Sequence, residues 1–254
     1  MKILVPVKRV PDPTQKAKIK DGHIDLTGAS WIVNTFDEYA IETALRLVEN
    51  GADNTRQAGA EIIVVSLGPD DAAKEIRSCL AMGADRAIHL KTEGPSADPL
   101  ATAKALASEI QGLAPQIVWL GKQAVDDDQA QVGPMLGELL SWPCVTVVAK
   151  LELSGNKAVV EREIEGGREV IEVELPVVLA ADKGLNEPRY ASLKGIMAAK
   201  KKPIDEKAAS LAHPGLEILS MALPAGRAAG RIVGEGVGAV PELVKLLREE
   251  AKVI

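Results

Sequence analysis

Two residue periods alternate along the first 150 positions of this 254-residue chain. Short β-branched runs, "ILVPV", "EIIVVSLG", "AIHL" and "QIVWLG", are separated by segments of helical period such as "DEYAIETALRLVEN" and "DAAKEIRSCLAMG". Alternation of this kind implies parallel βαβ units, in which each helix carries the chain back so that the next strand runs parallel to the last. In the first helical segment Ala40, Ile41, Ala44, Leu45 and Val48 recur at three- and four-residue spacing and form a stripe that covers one sheet face. Helices on both faces give the expected architecture, an α/β fold with a doubly wound, mostly parallel sheet of the Rossmann-like type.

The pattern changes at Cys144. "CVTVVAKLELSGNKAVVEREIEGGREVIEVELPVVLAAD" is rich in Val, Ile and alternating Glu, with "SGN" and "EGG" as turn signals, and reads as antiparallel hairpins. So short a β region has little core of its own, so it is expected to extend or flank the first sheet, making residues 1–183 one domain. Beyond Lys183 the regularity fades through "LNEPRYASLKGIMAAKKKP" and a Pro/Gly/Ala-rich stretch to about Gly238. A short amphipathic helix, "PELVKLLREEAKVI", then starts at Pro241. A tail of this length either wraps its own domain or embraces a partner chain.

Composition narrows the function classes. The hydrophobic share of 46% supplies a sizeable core, while a net charge of −6 and only 2% aromatic residues offer neither a phosphate-neutralising surface nor base-stacking platforms, so no nucleic-acid partner is expected. Cys79 sits in a helical pattern and Cys144 just before an apolar run, which suits buried thiols in a reducing compartment. The apolar stretch Ile3 to Val7 is too short for a signal-peptide core, and no uncharged run is long enough to span a bilayer. The expectation is a soluble, intracellular protein that is not embedded in a membrane.

"GKQAVDDDQAQVGP", Gly121 to Pro134, places Asp126, Asp127 and Asp128 together after an apolar strand. In open parallel sheets ligands sit at the carboxyl ends of the strands, where loops lead into helix N-termini whose free N–H groups hold anions. Gly121 would let a ligand approach the backbone, and one Asp would cap the helix that follows. Either the three carboxylates serve only capping and solvation, or they border a nucleotide whose phosphate meets amides while they face ribose hydroxyls, solvent or the helix end. A divalent cation on the cluster is the weaker option. No G-x-x-x-x-G-K-[ST] is present, no G-x-G-x-x-G follows the first strand, and "GEGVG", Gly234 to Gly238, lacks a preceding strand. A bound nucleotide would therefore occupy an atypical site.

Side-chain catalysis has no visible candidate. His23, His89 and His213 are far apart and read as structural or exposed, and Ser66 lacks a G-x-S-x-G setting. Near the tail, "RYASLKGIMAAKKK" sets Leu193, Ile196 and Met197 on one i, i+3, i+4 face beside Lys200, Lys201 and Lys202. Pro188 and Gly195 limit that helix and the lysines solvate its end, leaving two readings: a face docked on its own domain, or an anchor that plugs a hydrophobic pocket on another protein.

Together "VKRVPD", "NTFDEYAIETALRL", "AMGADRAIHL", "LGKQAVDDDQAQVGP", "VEREIEGGREVIEVELPVV" and "LNEPRYASLKGIMAAKKK" resemble the beta subunit of electron transfer flavoprotein across nearly the entire chain. The resemblance implies an adenine-nucleotide-binding α/β domain over residues 1–183, a recognition loop over 184–207 and a C-terminal arm over 208–254 that contacts an alpha subunit. It implies a heterodimer in which the alpha subunit carries a redox-active FAD. Electrons would pass from acyl-CoA or other dehydrogenases of fatty acid beta-oxidation to a quinone oxidoreductase, in the bacterial cytosol or mitochondrial matrix, with no catalytic residue in the beta chain. A structural AMP is implied at Pro6, Asn34, Thr35, Phe36, Asp37, Leu67, Gly121, Lys122, Gln123, Ala124, Val125, Asp126, Asp127, Asp128, Gln129, Ala130, Gln131 and Val132. Leu193, with Ile196 and Met197, is implied to dock on partner dehydrogenases.

The acidic run resembles the AMP-binding branch, whereas Ala130 to Pro134 resemble the electron-bifurcating branch, which holds a second FAD in this place; the "VKRV" start sides with AMP. Pro13 stands near where some relatives place a tyrosine that reaches the flavin, so that contact is not carried over. From another class, a stand-alone ATP-binding stress or signalling module on a similar fold would carry a late glycine-rich phosphate loop. An adenylating or nucleotide-hydrolysing enzyme would show an S-G-G-x-D-S-type loop. Neither is evident in the sequence.

Overall fold

The computed structural model describes residues 1–51, 54–94, 98–211, 214–227 and 229–254. In chain order its elements are β1 (Lys2–Val7), β2 (Arg9–Pro11), β3 (Ile19–Lys20), β4 (His23–Ile24), β5 (Trp31–Val33), α1 (Thr35–Val48), β6 (Glu61–Gly68), α2 (Ala73–Met82), β7 (Arg86–Lys91), α3 (Pro99–Leu113) and β8 (Ile117–Gly121). The second half adds α4 (Val132–Leu140), β9 (Cys144–Ser154), β10 (Lys157–Ile164), β11 (Gly167–Glu174), β12 (Val177–Ala181), α5 (Leu193–Ala199), β13 (Ile204–Ala208) and α6 (Val240–Glu249).

Nine strands form one sheet in the order β11-β10-β9-β12-β8-β1-β6-β7-β13. All pairings from β13 to β9 are parallel, and β10 and β11 add antiparallel strands at one end. The central strands are apolar at nearly every position because both faces are covered. Ile3, Val5, Ile62, Val64, Ile117 and Trp119 face α1 and α2, while Leu4, Ile63, Val65, Val118 and Leu120 face α3 and α4. The doubly wound, mostly parallel sheet read from the alternating periods is thus the observed architecture.

Two elements differ from expectation. "VVLAA" is no hairpin strand: β12 runs parallel between β8 and β9, buried at all five positions. Its uninterrupted apolar run has the character of a core strand, whereas β9, β10 and β11 alternate polar and apolar residues as hairpins do. The other is β13, "IDEKA", which pairs with β7 at the sheet edge. Three charged residues in five hide it in the sequence, and such charges are what a short edge strand carries to discourage further pairing.

The chain runs β1-β6-β7 toward one edge and then returns to β8 and β12 on the other side of β1. This reversal opens a crevice at the carboxyl ends of the central strands.

The segment between β12 and β13 is tied down from both sides. Asn186 donates to the Tyr39 carbonyl at 2.9 Å and to Thr43 Oγ1 at 2.6 Å. Arg189 pairs with Glu42 at 2.7 Å and Glu49 at 2.8 Å. Arg77 donates to the Ala199 and Lys202 carbonyls, and Lys202 Nζ to those of Leu80 and Ala84. Lys202 therefore caps the C-terminal end of α2 instead of joining Lys200 and Lys201 in solvent: a helix end leaves carbonyls that a nearby ammonium satisfies. At the N-terminal end Ser192 caps α5 by accepting from the Gly195 amide at 3.0 Å. Gly195 is required by close approach, since a Cβ there would overlap the Ala81 carbonyl oxygen.

Beyond β13 the chain is mostly exposed. Gly215 donates to the Asp98 carboxylate and Met221 to the Gly22 carbonyl, both at 2.6 Å. The α6 helix begins with Pro241 in its first turn, as expected from the sequence.

Glu42 is almost fully buried, and Arg189 and Arg46 hold its carboxyl below the usual range against the opposing effect of burial. Arg189→Ala leaves that carboxylate with the half-exposed Arg46 and the backbone amide of residue 189, which donates to it at 3.3 Å. It is expected to destabilise the chain by about 2 kcal/mol, less than a fully buried pair would lose. Thermal unfolding should show the midpoint lower by roughly 4–8 °C; a variant that melts with the parent would remove the clamp from this account.

Candidate functional site

The crevice at the carboxyl ends of β1, β6 and β8 holds a cavity of about 160 Å³ that is open to solvent. Its wall is apolar where Pro6, Val65, Leu67, Leu106, Leu120 and Val132 meet, and polar where Lys8, Asn34, Lys122, Gln123, Asp127, Gln129 and Gln131 line it.

A buried carboxylate fixes the crevice. Asp37, in the first turn of α1, accepts from the Lys8 amide at 2.8 Å and from the Gly121 amide at 3.0 Å. One side chain thus joins the ends of β1 and β8 to the start of α1. Burial pushes its pKa up to about 7, while the amides of Lys8 and Gly121, Asn34 and the Lys8 charge pull the other way. Gly121 serves this joint. A Cβ there would lie 2.5 Å from Asp37 Oδ1 and 2.6 Å from Phe36 Cβ, so α1, and not a ligand, is what comes close to its backbone.

Asn34 precedes α1 and holds the next loop. Its amide donates to the Gln123 carbonyl at 2.9 Å, and its oxygen accepts from the Val125 amide at 3.1 Å. Because both groups are engaged there, the side chain makes no capping bond to α1. What reads as a turn from Asn34 to Asp37 is therefore this residue plus the helix's first turn.

The acidic run is neutralised from the opposite wall. Lys8 Nζ lies 2.8 Å from Asp126 Oδ1 and 2.8 Å from Asp127 Oδ2. Burial lowers the Lys8 pKa, but the two carboxylates outweigh it and hold the ammonium above its usual range. Asp127 also accepts from the Gln129 backbone amide and side-chain amide, each at 3.3 Å, and Asp128 accepts from Gln123 Nε2 at 2.6 Å. None of the three caps the next helix: α4 starts at Val132 with Gln131 before it and no side-chain cap. The carboxylates are too far back along the chain and already engaged. Lys122 turns outward from the loop onto Asp182 at 2.8 Å, with the Phe36 ring 5.3 Å away.

The residues expected around a nucleotide are largely gathered in one place. Pro6, Asn34, Asp37, Leu67, Gly121, Lys122, Gln123, Ala124, Asp127, Gln129, Ala130, Gln131 and Val132 line the cavity. Thr35, Phe36, Val125, Asp126 and Asp128 do not line it; they belong to α1 and to the bonding behind the loop. Leu193, Ile196 and Met197 lie away from it on α5, with exposures of 83%, 44% and 63%.

Several lining residues were not anticipated, among them Lys8, Arg9, Trp31, Pro69, Pro99 and Thr102. Lys8 had a usable signal, being the first residue past a core strand, where crevice residues concentrate. Arg9 and Trp31 had none: the guanidinium stacks 3.9 Å above the indole and pairs with buried Glu75 at 3.0 Å, contacts made only by the β2–β5 ribbon and α2.

His89 is buried with Nε2 3.0 Å from the Gly68 carbonyl, and His23 is exposed on β4. His213 lies outside the described residues. Burial raises both thiols, Cys144 to about 11 and Cys79 further, which makes them poor nucleophiles at neutral pH. No helix among the described residues is long and apolar enough to cross a membrane.

Residues 21–212 match the family model described as "Electron transfer flavoprotein domain". The chain is 46% identical to "Electron transfer flavoprotein subunit beta" of Bradyrhizobium diazoefficiens, with 100% of both chains covered. It is 40% identical to the protein of that name from Bacillus subtilis, and 42% identical to "Electron transfer flavoprotein subunit beta, mitochondrial" of Oryza sativa subsp. japonica, again over 100% of each chain.

Asp37→Asn keeps the shape of the joint but leaves a second amide donor facing a donor, at a cost of about 1–3 kcal/mol. The Asp37 carboxyl binds its proton more tightly folded than unfolded, so its contribution is fully present below the ordinary carboxylate range and is lost as pH rises through about 7. Denaturant midpoints taken at about pH 5 and about pH 8 should show the parent's advantage over Asp37→Asn shrinking at the higher pH. Parallel pH curves for the two proteins would contradict a raised Asp37 pKa.

Proposed function

From the premise that this chain belongs to the electron transfer flavoprotein family as a beta subunit, we propose that it is a nucleotide-holding scaffold within a heterodimer, with AMP in the crevice. The observation that carries the crevice reading is its position and make-up: an apolar wall at the switch point of a parallel sheet, faced by the start of α4. An adenine fits the apolar wall formed by Pro6, Leu67, Leu106 and Leu120, and the N–H groups opening α4 suit a phosphate. The carboxylates do not oppose that phosphate, because Lys8 and Gln123 engage them.

The alpha subunit would supply FAD, whose isoalloxazine accepts and releases the electrons. The beta chain binds, orients and excludes water, and needs no nucleophile or general base of its own. A compartment such as the bacterial cytosol or the mitochondrial matrix suits this role. A second FAD in place of AMP is the other reading, favoured by Ala130 to Pro134.

Two groups of exposed apolar side chains lie on the C-terminal part of the chain. Leu219, Leu223 and Ile232, on the stretch beyond β13, support an arm that embraces the alpha subunit. Leu193, Ile196 and Met197, on a helix clamped to α1 and α2, support a rigid anchor for visiting dehydrogenases, with a quinone oxidoreductase downstream. A single anchor keeps a redox partner close while the flavin samples productive orientations, so the electron-transfer contact itself can stay weak.

Acid release of the nucleotide from the purified complex, followed by mass measurement, is expected to give AMP and one FAD per heterodimer. Two FAD and no AMP would establish the other reading. Leu193→Ala is expected to lower kcat/KM for reduction by a dehydrogenase by about tenfold, with flavin and nucleotide content unchanged. Full retention of the rate would end the anchor proposal.

A further inference from the structure

The acidic loop is held by one residue from two directions, and this has a consequence for whatever the crevice contains. Through its backbone amide, Lys8 donates to Asp37, whose other oxygen fixes Gly121 at the loop's beginning. Through its side chain, the same Lys8 spans to Asp126 and Asp127 in the loop's middle, 118 and 119 residues away in sequence. Asn34 holds Gln123 and Val125 between these two points.

The loop needs such support. Asp128 and Ala130 both adopt left-handed backbone conformations, at φ +52° and +54°. An alanine there is disfavoured by about 1–2 kcal/mol and persists only when neighbouring bonds enforce it. Three adjacent carboxylates also repel one another unless a cation stands between them. Lys8 and Asp127 both line the cavity, so their ion pair lies at its edge.

We propose that Lys8 is a positioning residue for the bound nucleotide: its ammonium bridges Asp126 and Asp127, latches residues 122–131 beside the crevice, and so governs how long the nucleotide stays. This rests on the crevice being a nucleotide site. The latch is part of wall and loop together, since Lys8 belongs to the end of β1 while both carboxylates belong to the loop. Removing the charge frees the loop from β1 without disturbing the Lys8 amide that Asp37 needs. Arginine, with the same charge and a comparable reach, preserves the bridge.

The test uses the full heterodimer carrying Lys8→Met or Lys8→Arg, with dissociation of AMP followed by chase with labelled AMP and loop opening followed by amide exchange over residues 122–131. Lys8→Met is expected to speed AMP release roughly tenfold, equivalent to about 1.4 kcal/mol, and to raise exchange in the loop while the sheet amides keep their protection. Lys8→Arg should restore both. Rising salt should speed release from the parent but hardly from Lys8→Met, a response that a purely structural role would not give. If the parent retains AMP and Lys8→Met releases it at the parent's rate, the latch is wrong and the nucleotide site stands. If the parent neither carries nor binds AMP, the AMP reading fails and the proposed control of its retention falls with it; the two failures are therefore distinct.

Discussion

A single buried carboxylate, Asp37, joins the carboxyl ends of two core strands to the first turn of a helix. The crevice exists because β1 and β8 are neighbours from which the chain departs in opposite directions, and a gap of that kind has unpaired amides at its floor. Asp37 takes up two of them. The amides must be satisfied where little water reaches, which is why a carboxyl sits in a place that disfavours its charge. Gly121 completes the joint: only without a side chain can the strand end lie against Phe36 and Asp37.

From this joint α1 serves two regions of the molecule. Its N-terminal end, with Asn34 just before it, orders the crevice loop, and its flank carries Tyr39, Glu42 and Thr43, which hold Asn186 and Arg189. The exposed face of α5 is therefore mounted on the same rigid helix as the crevice. Its other support is α2, through Arg77 and Lys202. The proposed anchor of three apolar residues would gain from a fixed position, because side chains left loose pay an ordering cost on binding. Polar bonds made to backbone carbonyls provide that rigidity without hiding Leu193 or Met197.

The parts of this arrangement that could be read in the sequence are those set by periodicity. Core strands are apolar on both faces and helices carry a stripe, so the layered sheet and the crevice at its switch point follow from local pattern. The VVLAA strand reads as a hairpin strand because it directly follows three of them, although its run of five apolar residues has the character of a core strand. The edge strand over Ile204–Ala208 was hidden by its charges. At the crevice, the loop from Gly121 to Val132 was legible, but the roles within it were not. The Asp run looks like a helix cap when read along the chain, and only the fold brings Lys8 to it across more than a hundred residues. Arg9 and Trp31 were invisible for the same reason, since their stack depends on a two-stranded ribbon that has no strong local signal.

Three carboxylates beside a place suited to phosphate look like a contradiction until their partners are counted. Two share the Lys8 ammonium, and the third accepts from Gln123, so the loop presents its backbone and its amide side chains to the crevice more than its charge. Such an arrangement gains from burial on one side and solvent on the other. A wholly exposed lysine would be screened and weak, and a wholly buried one would lose more to desolvation than it recovers. Lys8 lies between those limits, about one-third exposed with carboxylates of similar exposure. A bridge between those limits is what the proposed latch requires: strong enough to hold a strained loop, yet not so costly to break that the loop could never open.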